Sequence, residues 1–166
     1  MPHGVQVQVL SRAPEIYFFK FAKGGVYFFE TLCYIAGMPK RKYSVIVPRN
    51  VFPKPSMREM SAAYILLDYF KTDIEFIPRN NQKTPDFMIG GIKWELKTPV
   101  GTGKYNIQHL LHTAIQQSKN IIVDTRFSKM HFSKVINELE RHSVLTTKGI
   151  KRLIVITKSR KIVVII

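Results

Sequence analysis

Thr84-Pro85-Asp86-Phe87-Met88-Ile89-Gly90-Gly91-Ile92-Lys93-Trp94-Glu95-Leu96-Lys97 decides how the rest of the chain is read. Two apolar runs flank Gly90-Gly91, a dipeptide suited to the positive φ angles of a two-residue hairpin turn. With the turn there, Ile89 opposes Ile92, Met88 opposes Lys93, Phe87 opposes Trp94 and Asp86 opposes Glu95. Side chains alternate faces along a strand, so Phe87, Trp94 and Leu96 share one side and Asp86, Glu95 and Lys97 share the other. Like charges placed opposite each other destabilise a sheet. A divalent cation between Asp86 and Glu95 removes that penalty, and Lys97 lies one step along on the same face.

Outward from the hairpin, Pro99 to Lys104 reads as a flexible loop, followed by a helix N-capped by Asn106 and running to about residue 119. Ile107, Leu110, Leu111, Ala114 and Ile115 form its buried face. His109, Thr113, Gln116 and Gln117 lie off that face, and Gln116 and Gln117 cannot both face one site. Residues 120–124 form a buried strand, with Asp124 capping or turning its end. A helix follows over about 132–141, and residues 152–157 and 161–166 form a β-branched terminal hairpin. On the other side of the opening stretch, Ser56-Met57-Arg58-Glu59 is a capping box. Met60, Ala63, Tyr64, Leu67 and Phe70 continue it at helical spacing, and residues 74–77 form a short strand. The order from Ser56 is helix, three strands, helix, strand, helix, two strands, which specifies a mixed α/β layer fold. Residues 1–50 read as a separate β-rich segment: a hairpin about Lys23-Gly24-Gly25 and a strand over 43–47. The main domain is expected over residues 51–166.

The 166 residues are enough for a domain with a real core. Lys and Arg number 26 against 11 Asp and Glu, a net charge of +15, which points to nucleic acid, an anionic membrane surface or an acidic protein partner. No apolar run reaches the length of a membrane span, and the first residues lack the pattern of a signal peptide. The single cysteine, Cys33, excludes an intrachain disulfide and a cysteine-rich zinc site. Lys40, Arg41, Lys42, Arg49 and Lys54 form either a phosphate-tracking patch or a solvated face.

Hydrolysis of a phosphodiester needs charge stabilisation on the phosphoryl oxygens and a hydroxide near neutral pH. A hard cation held by carboxylates and water supplies both. Asp86 and Glu95 are suitable oxygen ligands, and the Leu96 carbonyl is a possible third. Lys97 points at the same space, where an ammonium can orient the attacking water or stabilise developing charge. Lys104, between glycines and a helix N-terminus, is placed to hold a phosphate.

This stretch resembles the PD-(D/E)xK nuclease signature, with Pro85-Asp86 as the PD and Glu95-Leu96-Lys97 as the ExK. Trp94, Thr98-Pro99-x-Gly101, the run from Ala114 to Asp124 and the terminal KRLIVITKSRKIVVII are similar to the tRNA-cleaving C-terminal domains of bacterial contact-dependent growth inhibition toxins. The resemblance covers about Ser56 to Ile166. It implies a restriction-endonuclease-like mixed sheet flanked by helices, with the β-rich N-terminal segment as an addition. It implies Asp86 and Glu95 as metal ligands and Lys97 as the catalytic lysine. Glu59 would be the acid of the first core helix, and Gln117 or Gln116, with His109, would line the site. Mg2+ is the expected cation, with Mn2+ or Zn2+ as alternatives. The implied partners are tRNA and an acidic immunity protein, with action in the bacterial cytoplasm after delivery as a toxin domain. A DNA endonuclease of the same fold and a non-catalytic basic nucleic-acid-binding module are the competing readings. For Glu59, the capping box alone is a sufficient structural explanation.

Overall fold

The computed structural model describes residues 17–21, 26–31, 42–79, 83–103, 105–145 and 149–166. Lys104, Cys33 and the expected turn about residues 23–25 lie outside the described residues. Among the described residues nine strands and three helices follow one another as β1 (Tyr17–Phe21), β2 (Val26–Thr31), β3 (Val45–Pro48), α1 (Met57–Phe70), β4 (Ile74–Phe76), β5 (Phe87–Ile89), β6 (Ile92–Lys97), α2 (Asn106–Ile115), β7 (Asn120–Asp124), α3 (Phe132–Leu145), β8 (Arg152–Ile156) and β9 (Ile162–Val164). The strands form one mixed sheet in chain order. β3 pairs parallel with β4, β6 with β7 and β7 with β8; the other neighbours are antiparallel.

The two faces of the sheet carry different helices, and strand alternation explains which residue meets which. Ile122, Ile154, Ile156, Trp94, Phe87, Phe76, Ile74 and Val45 pack with α1 residues Ala63, Leu66 and Leu67. Ile121, Val123, Leu153 and Val155 turn the other way, towards Ile107, Leu111 and Ala114 of α2 and Val135 and Leu139 of α3. Strands covered on both faces read as unbroken apolar runs, as residues 121–123 and 153–156 do. Phe70 lies against Trp94 at 5.5 Å between ring centroids, fixing α1 on β6.

Local signals set the element ends. Ser56 accepts from the Glu59 N–H, and the Glu59 carboxylate accepts from the Ser56 N–H, completing the expected capping box. Gly90 and Gly91 have φ of +54° and +76°, which places the hairpin turn where the sequence puts it. The register Phe87–Trp94, Met88–Lys93, Ile89–Ile92 follows. Both ends of α2 differ from expectation, and α3 runs on to Leu145, past the expected end near residue 141. α2 is capped at Tyr105, because the Asn106 amide instead donates to the Gly101 carbonyl at 2.7 Å. It also stops at Ile115, short of residue 119, and Gln116 and Gln117 form a turn into β7.

β3, β4, β6, β7 and β8 all run in one direction, given the pairing senses above. Their carboxyl ends therefore share one edge of the sheet, the edge at which open α/β sheets place ligands. The α1 N-terminus, the β4–β5 connection, the end of β6 and the β8–β9 turn all meet there.

Candidate active site

A cleft of about 340 Å³ opens at this edge, lined by Glu59, Arg79, Thr84, Asp86, Glu95, Leu96, Lys97 and Gln117. The antiparallel pairing of β5 and β6 keeps the expected register up to Phe87–Trp94. Beyond it the Asp86 carbonyl accepts from the Ile77 N–H at 3.0 Å, which continues the pairing of β4 with β5. Its carboxylate Oδ2 accepts from the Leu96 N–H at 3.0 Å. A side chain thus bridges to β6 just beyond the last paired residues, at the cleft.

Glu95 follows Trp94, which is buried towards α1, so its side chain turns to the α2 side of the sheet. It is only 1 % exposed. Its Oε1 pairs with Lys97 Nζ at 2.5 Å. Its Oε2, among the described residues, is the buried side-chain oxygen without a hydrogen-bond partner. Such an oxygen is costly to bury, so a ligand for it is expected. Burial, reinforced by the nearby Asp86 charge and opposed by Lys97, pushes the Glu95 carboxyl up to about 7. Burial also raises Asp86 above its ordinary value, with the Leu96 N–H and Arg79 working against it.

Lys97 Nζ donates to Gln117 Oε1 at 2.6 Å as well as meeting Glu95, which fixes the ammonium over the cleft. Gln117 reaches it because α2 has ended and the chain turns back. Gln116 is exposed and does not line the cleft, which resolves the choice between the two glutamines. His109 also lies outside, exposed on α2, where its carbonyl accepts from Thr113. Glu59 does line the cleft while serving the α1 cap, so its two readings are compatible. Burial raises its carboxyl, but hydrogen bonds from Ser56 and Arg79 outweigh that and hold it low.

Arg79 is the residue that sequence reading missed. Its Nη2 contacts both Glu59 Oε1 and Asp86 Oδ1, the latter at 3.2 Å. Nothing in the sequence marks it, since it lies in a polar connection outside any motif. Asp124, beside the cleft at the end of β7, is fully buried and paired with Arg126 through two contacts of 2.9 and 2.7 Å. Arg126 also bonds Ser61 of α1 at 2.6 Å, so this pair joins β7 to α1.

The donor set suits a hard divalent cation. Magnesium takes few carboxylates and keeps several waters, and Asp86 with the unpartnered Glu95 Oε2 offers that kind of partial shell. Among the described residues no three His, Cys, Asp or Glu side chains form a closed metal cluster, and Arg79 stands between Glu59 and Asp86. No helix among the described residues is long and apolar enough to cross a membrane.

Residues 83–162 match the family model described as the contact-dependent growth inhibition CdiA C-terminal domain. The match contains Asp86, Glu95, Lys97 and Gln117 and leaves out Glu59 and Arg79. No curated protein matches the chain. Among solved structures, it is similar to the CdiA-CT/CdiI toxin and immunity complex from Burkholderia pseudomallei. That likeness has 22% identity over 65% of this chain and 81% of that one, with a TM-score of 0.49.

Proposed function

We propose that the chain is a metal-dependent endonuclease of the PD-(D/E)xK type, with a restriction-endonuclease-like fold. It hydrolyses phosphodiester bonds in RNA, tRNA above all, as a contact-dependent growth inhibition toxin acting in the bacterial cytoplasm. The observation that carries the reading is the buried Glu95, with one oxygen on Lys97 and the other without a partner beside Asp86. An ion pair with Lys97 alone leaves the cost of burying the second oxygen without a partner unexplained. The matched family model and the tRNA-nuclease resemblance of the hairpin and its flanks support the toxin and tRNA parts. The charge of +15 supports a polyanionic substrate and an acidic immunity protein as inhibitor.

Asp86 and Glu95 would hold the cation, Mg2+ first. When bound, it neutralises charge on the phosphoryl group and lowers the pKa of a water. Asp86 is pre-positioned for this by the Leu96 N–H. Lys97, held by Glu95 and Gln117, presents its ammonium to the attacking water and the scissile phosphate. Gln117 keeps that lysine extended over the cleft, and Glu59 closes the far wall.

The test is incubation of purified protein with total tRNA, and in parallel with duplex DNA, with Mg2+ or Mn2+ and with EDTA, followed by mapping of the cleaved ends. Cation-dependent cuts in tRNA are expected, abolished by Asp86→Asn, which keeps an acceptor for the Leu96 N–H, while RNA binding persists. Binding of tRNA with no cleavage under either cation would sink the enzyme reading in favour of a binding module. Cuts in DNA alone would move the substrate to DNA.

A further inference from the structure

We propose that Arg79, on Asp86 Oδ1, occupies part of the place a divalent cation would take between Asp86 and Glu95, yields it when the cation binds, and then holds the scissile phosphate. The inference rests on the nuclease reading above.

One guanidinium nitrogen meets two carboxylates that come from different elements, Glu59 on α1 and Asp86 before β5. Oδ2 of Asp86 accepts from the Leu96 N–H, and Oδ1 is the oxygen on Arg79. A cation on Oδ1 would meet the positive guanidinium within a few ångströms, and that like-charge repulsion favours the departure of Arg79. The pair is built to allow that: the Arg79 side chain is 34% exposed, and an ion pair open to water to this degree is weakly held. Arg79 also sits in the β4–β5 connection, not in a strand ladder, so its displacement breaks no sheet pairing.

Charge balance gives the released arginine its second task. Among the described residues three carboxylates and two cationic side chains line the cleft, so the free site offers a phosphate little net positive charge. A divalent cation would make the site positive, and a guanidinium freed beside it is a two-pronged donor matched to phosphate oxygens. Arg79 thus couples cation binding to substrate binding: the same side chain that screens the acids in the free protein receives the phosphate in the loaded one.

Calorimetric titration with Mn2+ alone, in wild type and in Arg79→Gln, tests the first half. Loss of a competing unit charge within a few ångströms should tighten Mn2+ binding at least about tenfold. Cleavage of tRNA at saturating Mn2+ tests the second half. Arg79→Gln should lose on the order of a hundredfold or more in kcat/KM, the scale of one lost electrostatic contact in a transition state. Arg79→Lys keeps the charge, so it should bind Mn2+ like wild type yet cleave poorly, which separates the role from a folding defect. Unchanged or weaker Mn2+ binding by a folded Arg79→Gln protein would overturn the place-holding role. Full cleavage by Arg79→Gln would overturn the phosphate role. If wild type cuts no RNA while Arg79→Gln still binds Mn2+ more tightly, the nuclease reading fails and the phosphate role falls with it, leaving the place-holding role standing.

Discussion

Replacing Glu95 by Gln should stabilise the metal-free protein and destroy its activity together. Glu95 is 1 % exposed, and its carboxyl is pushed up to about 7 by burial and by Asp86, against the pull of Lys97. An acid with a raised folded-state pKa binds its proton more tightly in the folded chain. Its contribution to stability is whole below the ordinary glutamate value and is lost as pH rises through about 7. From the ordinary value of 4.5 to about 7, the ionised side chain costs the fold roughly 3 kcal/mol above pH 7. Glutamine keeps an oxygen for Lys97 and removes the charge, but leaves an amide where Oε2 lacked a partner. A net gain of about 1–3 kcal/mol at pH 8 remains, shrinking towards zero near pH 5. Glu59, held low by its Ser56 and Arg79 hydrogen bonds, contributes in the opposite sense and is unchanged between the two proteins, so it cancels in the difference. Thermal unfolding in EDTA at pH 5 and pH 8 measures this, at about 2–4 °C per kcal/mol for a chain of this size. Addition of Mn2+ at pH 8 should raise the wild-type midpoint and leave the variant unmoved. A variant less stable than wild type at pH 8 without metal would refute the reasoning, since Glu95 would then be an ordinary structural partner of Lys97.

Other perturbations read different parts of the molecule. Arg126→Ala leaves the fully buried Asp124 carboxylate without its guanidinium and should cost about 3–5 kcal/mol by urea denaturation, whereas loss under 1 kcal/mol would contradict the assigned pairing. Gly91→Ala adds a Cβ that meets nothing within 4 Å, so only the φ of +76° opposes it. The expected cost is about 1 kcal/mol, with the proposed nuclease activity unaffected. Lys158, Arg160 and Lys161 are exposed in the β8–β9 turn at the same sheet edge as the cleft. Changing all three to Gln should weaken tRNA binding and flatten its log–log salt dependence by up to about 2 to 3, measured by filter binding from low to physiological salt. An unchanged slope would place the RNA elsewhere.

Much of the hairpin was legible because its contacts are local. A two-residue turn between adjacent strands leaves one register that keeps Phe87, Ile89 and Trp94 on the core side, and both glycines sit where the turn requires them. The capping box of α1 is complete within four residues for the same reason. Beyond Phe87–Trp94 the link to β6 is made by the Asp86 carboxylate, which accepts from the Leu96 N–H, and a side-chain bridge of that kind is not written in the alternation of the strand.

The sequence by itself determined the chemistry on offer: two carboxylates and a lysine within twelve residues, a polyanion-seeking charge, and an alternation of helix and strand that can only close as layers. The tertiary structure alone decided which polar residues join them. Gln117 enters and Gln116 does not because α2 ends at Ile115, and His109 stays outside on the solvent side of that helix. Arg79 enters because the N-terminus of α1, laid over the carboxyl ends of the strands, brings Glu59 within reach of Asp86. These contacts join residues seven to twenty positions apart through the packing of separate elements. Nothing in their local sequence encodes the distance between them, whereas the hairpin carries its geometry in the few residues of its own turn.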